Sequence, residues 1–275
     1  MKRSMTLALL CLAAAAVFAS GTEEPGPDGW YEVPRLREFE GVELRTAADL
    51  TLSPGGECRV RVRGDRRDIE DLDIYVSGED LVVRRESLFD FRPSTTSLEI
   101  EVTLPRLSRA VITSSGSFRG EGRFECRDLE MQVTGSGDLF IEAIADALEC
   151  KTTGSGDIAY RGRADSLDLK CTGSGNADME VRANLAEVVV TGSGSASLRG
   201  GADRMDVRVT GNGKLLAGDF SVREADITLT GSGDAEVRVS GTLDARVTGS
   251  GSVLYSGNPE HLNFQGGGSG KIEKR

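Results

Sequence analysis

Seven acidic residues recur at nearly constant intervals between residues 130 and 244, and they are the first candidates for chemistry. Residues that stack on neighbouring parallel strands lie about 4.8 Å apart, so stacked carboxylates repel one another unless positive charge opposes them. One solution is Ca²⁺ bridging two rungs, because Ca²⁺ binds carboxylate oxygens at about 2.3–2.6 Å. This acidic ladder comprises Glu130, Glu149, Asp168, Glu187, Asp206, Asp226 and Asp244.

Basic residues beside the ladder offer a second solution. Lys151, Lys170, Arg208 and Arg246 each follow a ladder residue by two positions, which on a strand places both side chains on one face. The sequence therefore favours a surface ion-pair network, in which each exposed pair contributes about 0–1 kcal/mol, over a Ca²⁺ site. No cofactor is expected.

Catalytic arrangements are poorly supported by the sequence. His261 is the only histidine, so the recurring serines have no column of general bases beside them. Glycoside hydrolysis needs two carboxylates set across one cleft, and the repeat contains no long insertion that would build a cleft. A second acidic set, Asp138, Asp157 and Asp234, is interrupted by Lys214 and is typical of turns. We expect a protein that is not an enzyme, with a carbohydrate-active or carbohydrate-binding protein as the alternative.

A Thr-Gly-Ser-Gly repeat positions the ladder. With threonine as position 0, the repeat runs from Thr134 to Thr248 in steps of 18 to 20 residues, and the ladder occupies position −4. Self-similarity at a period of this size indicates a solenoid. Glycine suits a sharp corner that recurs in every coil, because it adopts φ values that other residues avoid. The predicted structural turn residues are Gly135, Ser136, Gly137, Gly154, Ser155, Gly156, Gly173, Ser174, Gly175, Gly192, Ser193, Gly194, Gly231, Ser232, Gly233, Gly249, Ser250 and Gly251.

Apolar residues alternate with polar ones on both sides of this turn. Positions −5, −3 and −1 before the turn are mostly apolar, and so are positions +5 and +7 after it. Each coil therefore has two strands with inward faces, while Phe140, Leu216 and Leu254 at position +6 should point outward. The sequence predicts an all-β, single-stranded parallel β-helix with coils of about 19 residues.

The chain before the repeat divides into three further parts. Residues 1–20 have the basic start, short apolar run and small residues of a signal peptide, and Leu10 before Cys11 breaks a lipoprotein motif. Residues 21–36 are predicted to be a polar linker. Residues 37–107 alternate like half-buried strands but lack the repeat, so they are expected to form an N-terminal β-rich cap. Residues 108–275 are the Gly-Ser-Gly repeat β-helix.

Charge and cysteine content indicate which partners and which disulfides the sequence favours. The net charge of −11 becomes −13 without Lys2 and Arg3, which argues against nucleic acid or an anionic membrane as partner. No later segment is long and apolar enough for a transmembrane helix. The repeat places the Cα atoms of Cys150 and Cys171 about 8 Å apart, too far for a disulfide, so both are expected to be buried thiols. A bridge between Cys58 and Cys126 stays open.

The repeat and the segment before it resemble a known family. The Thr-Gly-Ser-Gly-Asp repeats, the stretch Val102-Thr-Leu-Pro-Arg-Leu107 and the entry Phe39-Glu-Gly-Val42 are similar to the DUF2807 family of auto-transporter adhesins with a head GIN domain. The resemblance covers about Arg37 to Lys271. It implies an exported bacterial protein with a right-handed, pectin-lyase-like β-helix, without a recognised active site.

Together these observations predict an exported, non-catalytic β-helix in the periplasm or at the cell surface. It would serve as an adhesion, binding or envelope scaffold module, and its partner would be an extracellular glycan or a protein surface.

Overall fold

A computed structural model describes residues 25–85 and 97–275, so the predicted signal peptide at 1–20 lies outside the described residues. The fold is a β-solenoid in which parallel strands of successive coils stack on one another, as the repeat predicted. The elements are β1 (Tyr31–Glu32), β2 (Gly41–Leu44), β3 (Asp49–Pro54), β4 (Arg59–Arg63), α1 (Arg66–Glu70), β5 (Leu72–Ser77), β6 (Asp80–Arg85), β7 (Glu99–Leu104), β8 (Arg109–Ile112), β9 (Ser117–Gly120), β10 (Phe124–Gly135), β11 (Asp138–Gly154), β12 (Ile158–Gly173), β13 (Asn176–Gly192), β14 (Ser195–Gly211), β15 (Lys214–Gly231), β16 (Asp234–Gly249), β17 (Ser252–Gly257), β18 (His261–Gly268) and β19 (Lys271–Lys274).

Coils of about 19 residues make up the long part of the solenoid. Each strand from β11 to β16 runs from just after one Gly-Ser-Gly turn to the start of the next. Leu139 pairs with Ile158 and Thr153 with Thr172, so the register advances by one repeat per coil and equivalent positions form straight columns. Residues at the same position of each repeat therefore form one column, which lies either on the surface or in the core.

Period-two alternation decides which columns form the core. Positions −3 and −1 of the coil that ends at Gly173 hold Leu169 and Cys171, which are both buried. Ile158 at position +5 is buried as well, and its outward neighbour at +6 is half-exposed. Leu262, which alternation also placed inward, is 47 % exposed, because it lies in the last coil described and no further coil covers it.

The Gly-Ser-Gly corner brings the backbones of successive coils very close together. Gly173 has a φ of 109°, in the left-handed region that favours glycine. A Cβ atom on Gly175 would lie 2.1 Å from the carbonyl oxygen of Gly156 in the previous coil, so no other side chain fits there. The amides of Ser174 and Gly175 both donate to the carbonyl of Gly154, at 2.8 and 3.0 Å. The serine side chains point outward and are exposed, so backbone atoms make these contacts between coils.

The N-terminal part stacks in an order that differs from the order of the sequence. Strands β2 and β3 pair in parallel with β6 and β7 on one side and with β8 and β9 on the other. The coil formed by residues 41–54 therefore lies between two coils that follow it in the chain. Part of the segment 37–107 thus contributes coils to the stack.

Antiparallel strands cover the N-terminal end. Strand β4 pairs with β7, β5 pairs with β6, and β1, from the segment predicted to be a linker, pairs with β4. The short helix α1 connects β4 to β5 and is capped by the Asp65 carboxylate, which accepts from the Arg67 amide at 3.0 Å. These strands turn the direction of the sheet and protect the edge of the parallel stack from pairing with other chains.

The described cysteines are free thiols. Cys150 and Cys171 are buried in the core, whereas Cys58 and Cys126 are partly buried. Burial raises the pKa of the Cys171 thiol to about 12 and that of Cys126 to about 11. Because the thiolate is the reactive form, these side chains act as small apolar residues at neutral pH.

Replacing Gly175 with alanine is expected to destabilise the protein by about 1–3 kcal/mol, because the added methyl group would overlap the Gly156 carbonyl. The matched control is Ser174→Ala in the same turn, which removes only an exposed hydroxyl and should change stability by less than about 0.5 kcal/mol. Urea unfolding followed by circular dichroism measures both. Equal midpoints for the two variants would show that the corner does not limit the packing of the coils.

Thiol labelling of the native protein at mildly alkaline pH should leave Cys150 and Cys171 unmodified, because both are buried and their pKa values are raised. Denaturation in urea should expose both. Mass spectrometry after alkylation separates the sites. Rapid labelling of Cys171 in the native state would mean that the core opens far more readily than its packing indicates.

Candidate functional site

The acidic ladder forms one continuous column on the outside of the solenoid. Glu130 pairs with Glu149, Glu149 with Asp168, and the register continues coil by coil through Glu187, Asp206 and Asp226 to Asp244. All seven side chains are half-exposed or exposed. Positions −4, −2 and 0 point outward together, and we call this surface the acidic face.

Ion pairs within the same coil offset part of the ladder. Lys151 Nζ lies 2.5 Å from Glu149 Oε1, and Lys170 Nζ lies 2.6 Å from Asp168 Oδ2. These contacts raise the pKa of Lys151, chiefly through its hydrogen bond to Glu149. Asp206 pairs with Arg204 of its own strand at 2.9 Å. Glu149, Asp168 and Asp206 are thus compensated by a base two positions away on the same strand, which is the geometry expected for Lys151 and Lys170.

The second half of the ladder has fewer positive partners. Arg246 donates to the side-chain oxygen of Gln265 at 2.8 Å in place of its neighbour Asp244. Within residues 25–85 and 97–275, Glu187, Asp226 and Asp244 have no ion pair within 4 Å. No group of three His, Cys, Asp or Glu side chains comes close enough to hold a metal ion among these residues. Uncompensated carboxylates attract cations loosely through the field of the whole column.

One end of the ladder is closed by Arg109, which stacks on Glu130. Its guanidinium contacts Glu130 Oε2 at 3.2 Å and reaches across the next rung to Asp80 Oδ2 at 2.9 Å. The rung between them is Gly41, where a Cβ atom would lie 1.8 Å from Asp80 Oδ1. Glycine at this position therefore allows Arg109 to contact Asp80, which lies two rungs away, as well as its direct neighbour Glu130.

A shallow groove of about 590 Å³ runs along the ladder. Ala147, Ser166 and Leu185 at position −6 line its floor, and the carboxylates of Glu149 and Asp168 line its wall. The groove offers apolar floor and acidic wall to any extended ligand that lies parallel to the solenoid axis.

The opposite face carries a charge pattern that we did not anticipate from the sequence. Position +8 alternates in sign along the stack, where Glu142 pairs with Arg161, Arg161 with Glu180 and Glu180 with Arg199. Arg161 contacts Glu180 at 3.0 Å, and Arg123 contacts Glu142 at 3.0 Å. Alternating charge makes this face self-compensating. The column alignment that revealed position −4 would also have revealed this pattern.

The other candidate residues from the sequence are the carboxylates at position +4 and His261. Asp157 and Asp234 at position +4 accept hydrogen bonds from the backbone amides of Asn176 and Ser252 in the following coils, at 2.8 and 3.1 Å. His261 is exposed at the start of β18. No helix in the described part of the chain is long and apolar enough to cross a membrane.

One family model matches most of the chain. The model of the DUF2807 family, described as "Putative auto-transporter adhesin, head GIN domain", matches residues 38–179 and 163–259. No curated protein matches the chain significantly.

Solved structures share this fold at low sequence identity. A protein from Parabacteroides distasonis named "Putative lipid binding protein" is 23 % identical, with a TM-score of 0.69 over 90 % of this chain and 96 % of that one. A putative adhesin from Parabacteroides merdae is 15 % identical, with a TM-score of 0.69 over 92 % and 98 %. Another putative adhesin from P. distasonis is 19 % identical, with a TM-score of 0.56 over 90 % and 96 %.

Neutralising Glu187 should stabilise the protein by a few tenths of a kcal/mol at low salt, because Glu187→Gln removes repulsion from Asp168 and Asp206 without breaking an ion pair. The matched control, Asp168→Asn, also removes the contact with Lys170 and should gain less. Urea midpoints at low and high NaCl measure the effect, which salt should reduce. A larger loss of stability in Glu187→Gln than in Asp168→Asn would contradict the repulsion and point to a cation at Glu187.

Proposed function

The chain belongs to the DUF2807 family of head GIN domain proteins, and we propose that it is an exported, non-catalytic adhesion module that binds a glycan or protein surface through the sides of its solenoid. The observation that carries this proposal is the length of the acidic face. Seven coils present the same outward columns, which at about 4.8 Å per coil gives a flat strip of about 29 Å. Such a surface suits an extended or flat partner better than a small substrate.

The charge of this strip determines which partners it favours. The unpaired carboxylates of Glu187, Asp226 and Asp244 favour a partner that carries positive charge or hydroxyl donors on its contacting side. The self-compensating face at position +8 has no such preference. Adhesion through the acidic face would therefore weaken with salt, because the interacting charges are exposed.

The signal peptide predicted at residues 1–20 supports export. Of the similar structures, two are named putative adhesins and one is named a putative lipid binding protein. The periplasm and the outer surface both satisfy these observations. If the partner is another envelope protein, the proposed role is that of a scaffold within the cell envelope.

The test is binding of the purified mature chain to an array of glycans and matrix proteins, with lipid vesicles as a third arm. We expect saturable binding to at least one glycan or protein, and a loss of about tenfold or more in a triple variant, Glu149→Gln, Asp168→Asn and Glu187→Gln. The matched control is Glu142→Gln on the other face, which should bind as the unmodified chain does.

Three outcomes would count against the proposal. Binding to vesicles alone would replace adhesion with a lipid partner. Equal loss in the triple variant and in Glu142→Gln would remove the acidic face as the contact surface. Release of products from any glycan on the array would show an enzyme.

A further inference from the structure

One coil of the solenoid departs from the regular register. Strand β15 carries register shifts against both of its neighbours, between Ser197 and Arg199 on the β14 side and between Ala217 and Ser221 on the β16 side. Gly218, Asp219 and Phe220 therefore have no partner residues in β16. Backbone groups that leave the ladder at a bulge become available to other partners, and bulges often re-aim side chains beside binding sites.

The bulge redirects its side chains without disturbing the core. Ala217 and Phe220 are buried, whereas Leu216 is 44 % exposed and Asp219 is exposed. Gly218 allows the Glu236 side chain to lie against the bulge, because a Cβ atom there would be 2.6 Å from Glu236 Oε1. The extra residue thus places an apolar and an acidic side chain next to one another on the outer surface.

A notch of about 400 Å³ opens at this bulge. This volume lies within the range of small-molecule sites, which is about 300–1,000 Å³. Its lining combines hydrogen-bond donors, acceptors and one apolar surface. The main contributors are Ser197, Arg199, Leu216, Asp219, Glu236 and Arg275.

The charged groups of the notch pair with one another and leave a small negative excess. Arg199 donates through one nitrogen to both carboxylate oxygens of Asp178, at 2.7 and 2.9 Å, which leaves its other N–H groups for a ligand. Arg275 pairs with Glu236, and the second oxygen of that carboxylate remains an acceptor. With Asp178 counted beside Asp219 and Glu236, three carboxylates face two arginines, in a chain whose net charge is −11. This excess repels an anionic ligand, so the notch favours a neutral ligand over an anionic one.

From this geometry we propose that the notch binds a neutral sugar unit of a glycan. Carboxylates and guanidinium groups accept from and donate to adjacent sugar hydroxyls, and exposed Leu216 covers the apolar face of the ring. The ion pair of Glu236 with Arg275 positions that carboxylate in the notch, where its second oxygen can accept a hydrogen bond from a sugar hydroxyl. This inference rests on the proposed adhesion function and names the ligand class of a site outside the acidic face.

The experiment uses the mature chain and a panel of methyl glycosides of glucose, galactose, mannose and N-acetylglucosamine, with their β-1,4-linked disaccharides. Ligand-detected NMR identifies binders, and titration followed on backbone amides gives affinity and location. We expect at least one neutral glycoside to shift the amides of residues 216–221 and to bind more tightly than sialyllactose.

Two variants and a control test the assignment. Asp219→Asn should weaken binding by about tenfold, because it removes the charge from a hydrogen bond made by an ionised group. Leu216→Glu should abolish binding, because it replaces the apolar contact with a charged side chain. Glu142→Gln, on the same face but distant along the stack, should bind as the unmodified chain does.

The outcomes separate this inference from the function on which it rests. Absence of any neutral glycoside binder, preference for sialyllactose, or unchanged affinity in Asp219→Asn would each overturn the notch assignment. A partner found on the array by the acidic-face test would leave the adhesion function standing in each of those cases. Failure of the array together with binding at the notch would instead overturn the acidic face as the adhesive surface.

Discussion

The solenoid depends on one constraint, which is the close approach of backbones at the Gly-Ser-Gly corner. The carbonyl of Gly154 accepts hydrogen bonds from the amides of both Ser174 and Gly175. A methyl group on Gly175 would overlap the carbonyl of Gly156. Two hydrogen bonds to one acceptor fix both the height and the lateral position of each coil on the previous one. Because the corner admits no sliding, the remaining columns are aligned as well, except where β15 shifts register.

Alignment has opposite consequences for the core and for the surface. In the core, it places apolar side chains above one another, so Leu169 packs between residues of the same column in the coils on either side. On the surface, it also stacks like charges, and the protein responds differently on its two faces. The face at position +8 alternates Glu142 with Arg161, whereas the acidic face relies on Lys151 and Lys170 beside the column. The uncompensated part of the acidic face is thus a cost in stability that natural sequences retain where a surface has another role.

Sequence periodicity was sufficient to predict the repeat part of this fold. The Thr-Gly-Ser-Gly spacing and the alternation around it place Leu169 and Cys171 in the core and Asp168 on the surface, and the structure agrees. The stacking order of residues 41–54 could not be predicted, because these strands lack the repeat and their partners lie far away in the chain.

The bulge in β15 is a second feature that could not be located from the sequence. The step from Thr210 to Thr230 shows that this coil has one residue more than most, but a count does not reveal where the extra residue lies. Only the burial of Ala217 and Phe220 on one side, and the exposure of Leu216 and Asp219 on the other, locates it at Gly218. The acidic ladder was found because its residues are all acidic, whereas the notch combines six residues of five types from several coils and has no signature in a single column.

The insertion of the coil of residues 41–54 between two later coils has a consequence for how the chain reaches this structure. Contacts between coils in the repeat join residues about 19 positions apart, but Ser114 and Thr46 at the N-terminal end are separated by 68. Loop closure over longer separations costs more entropy, and contacts of high sequence separation form slowly. The repeat can therefore zip from neighbour to neighbour, while the first coil to leave the ribosome must wait for strands β8 and β9. For a chain that emerges from its N-terminus, this first coil therefore stays incomplete until residue 120 has appeared.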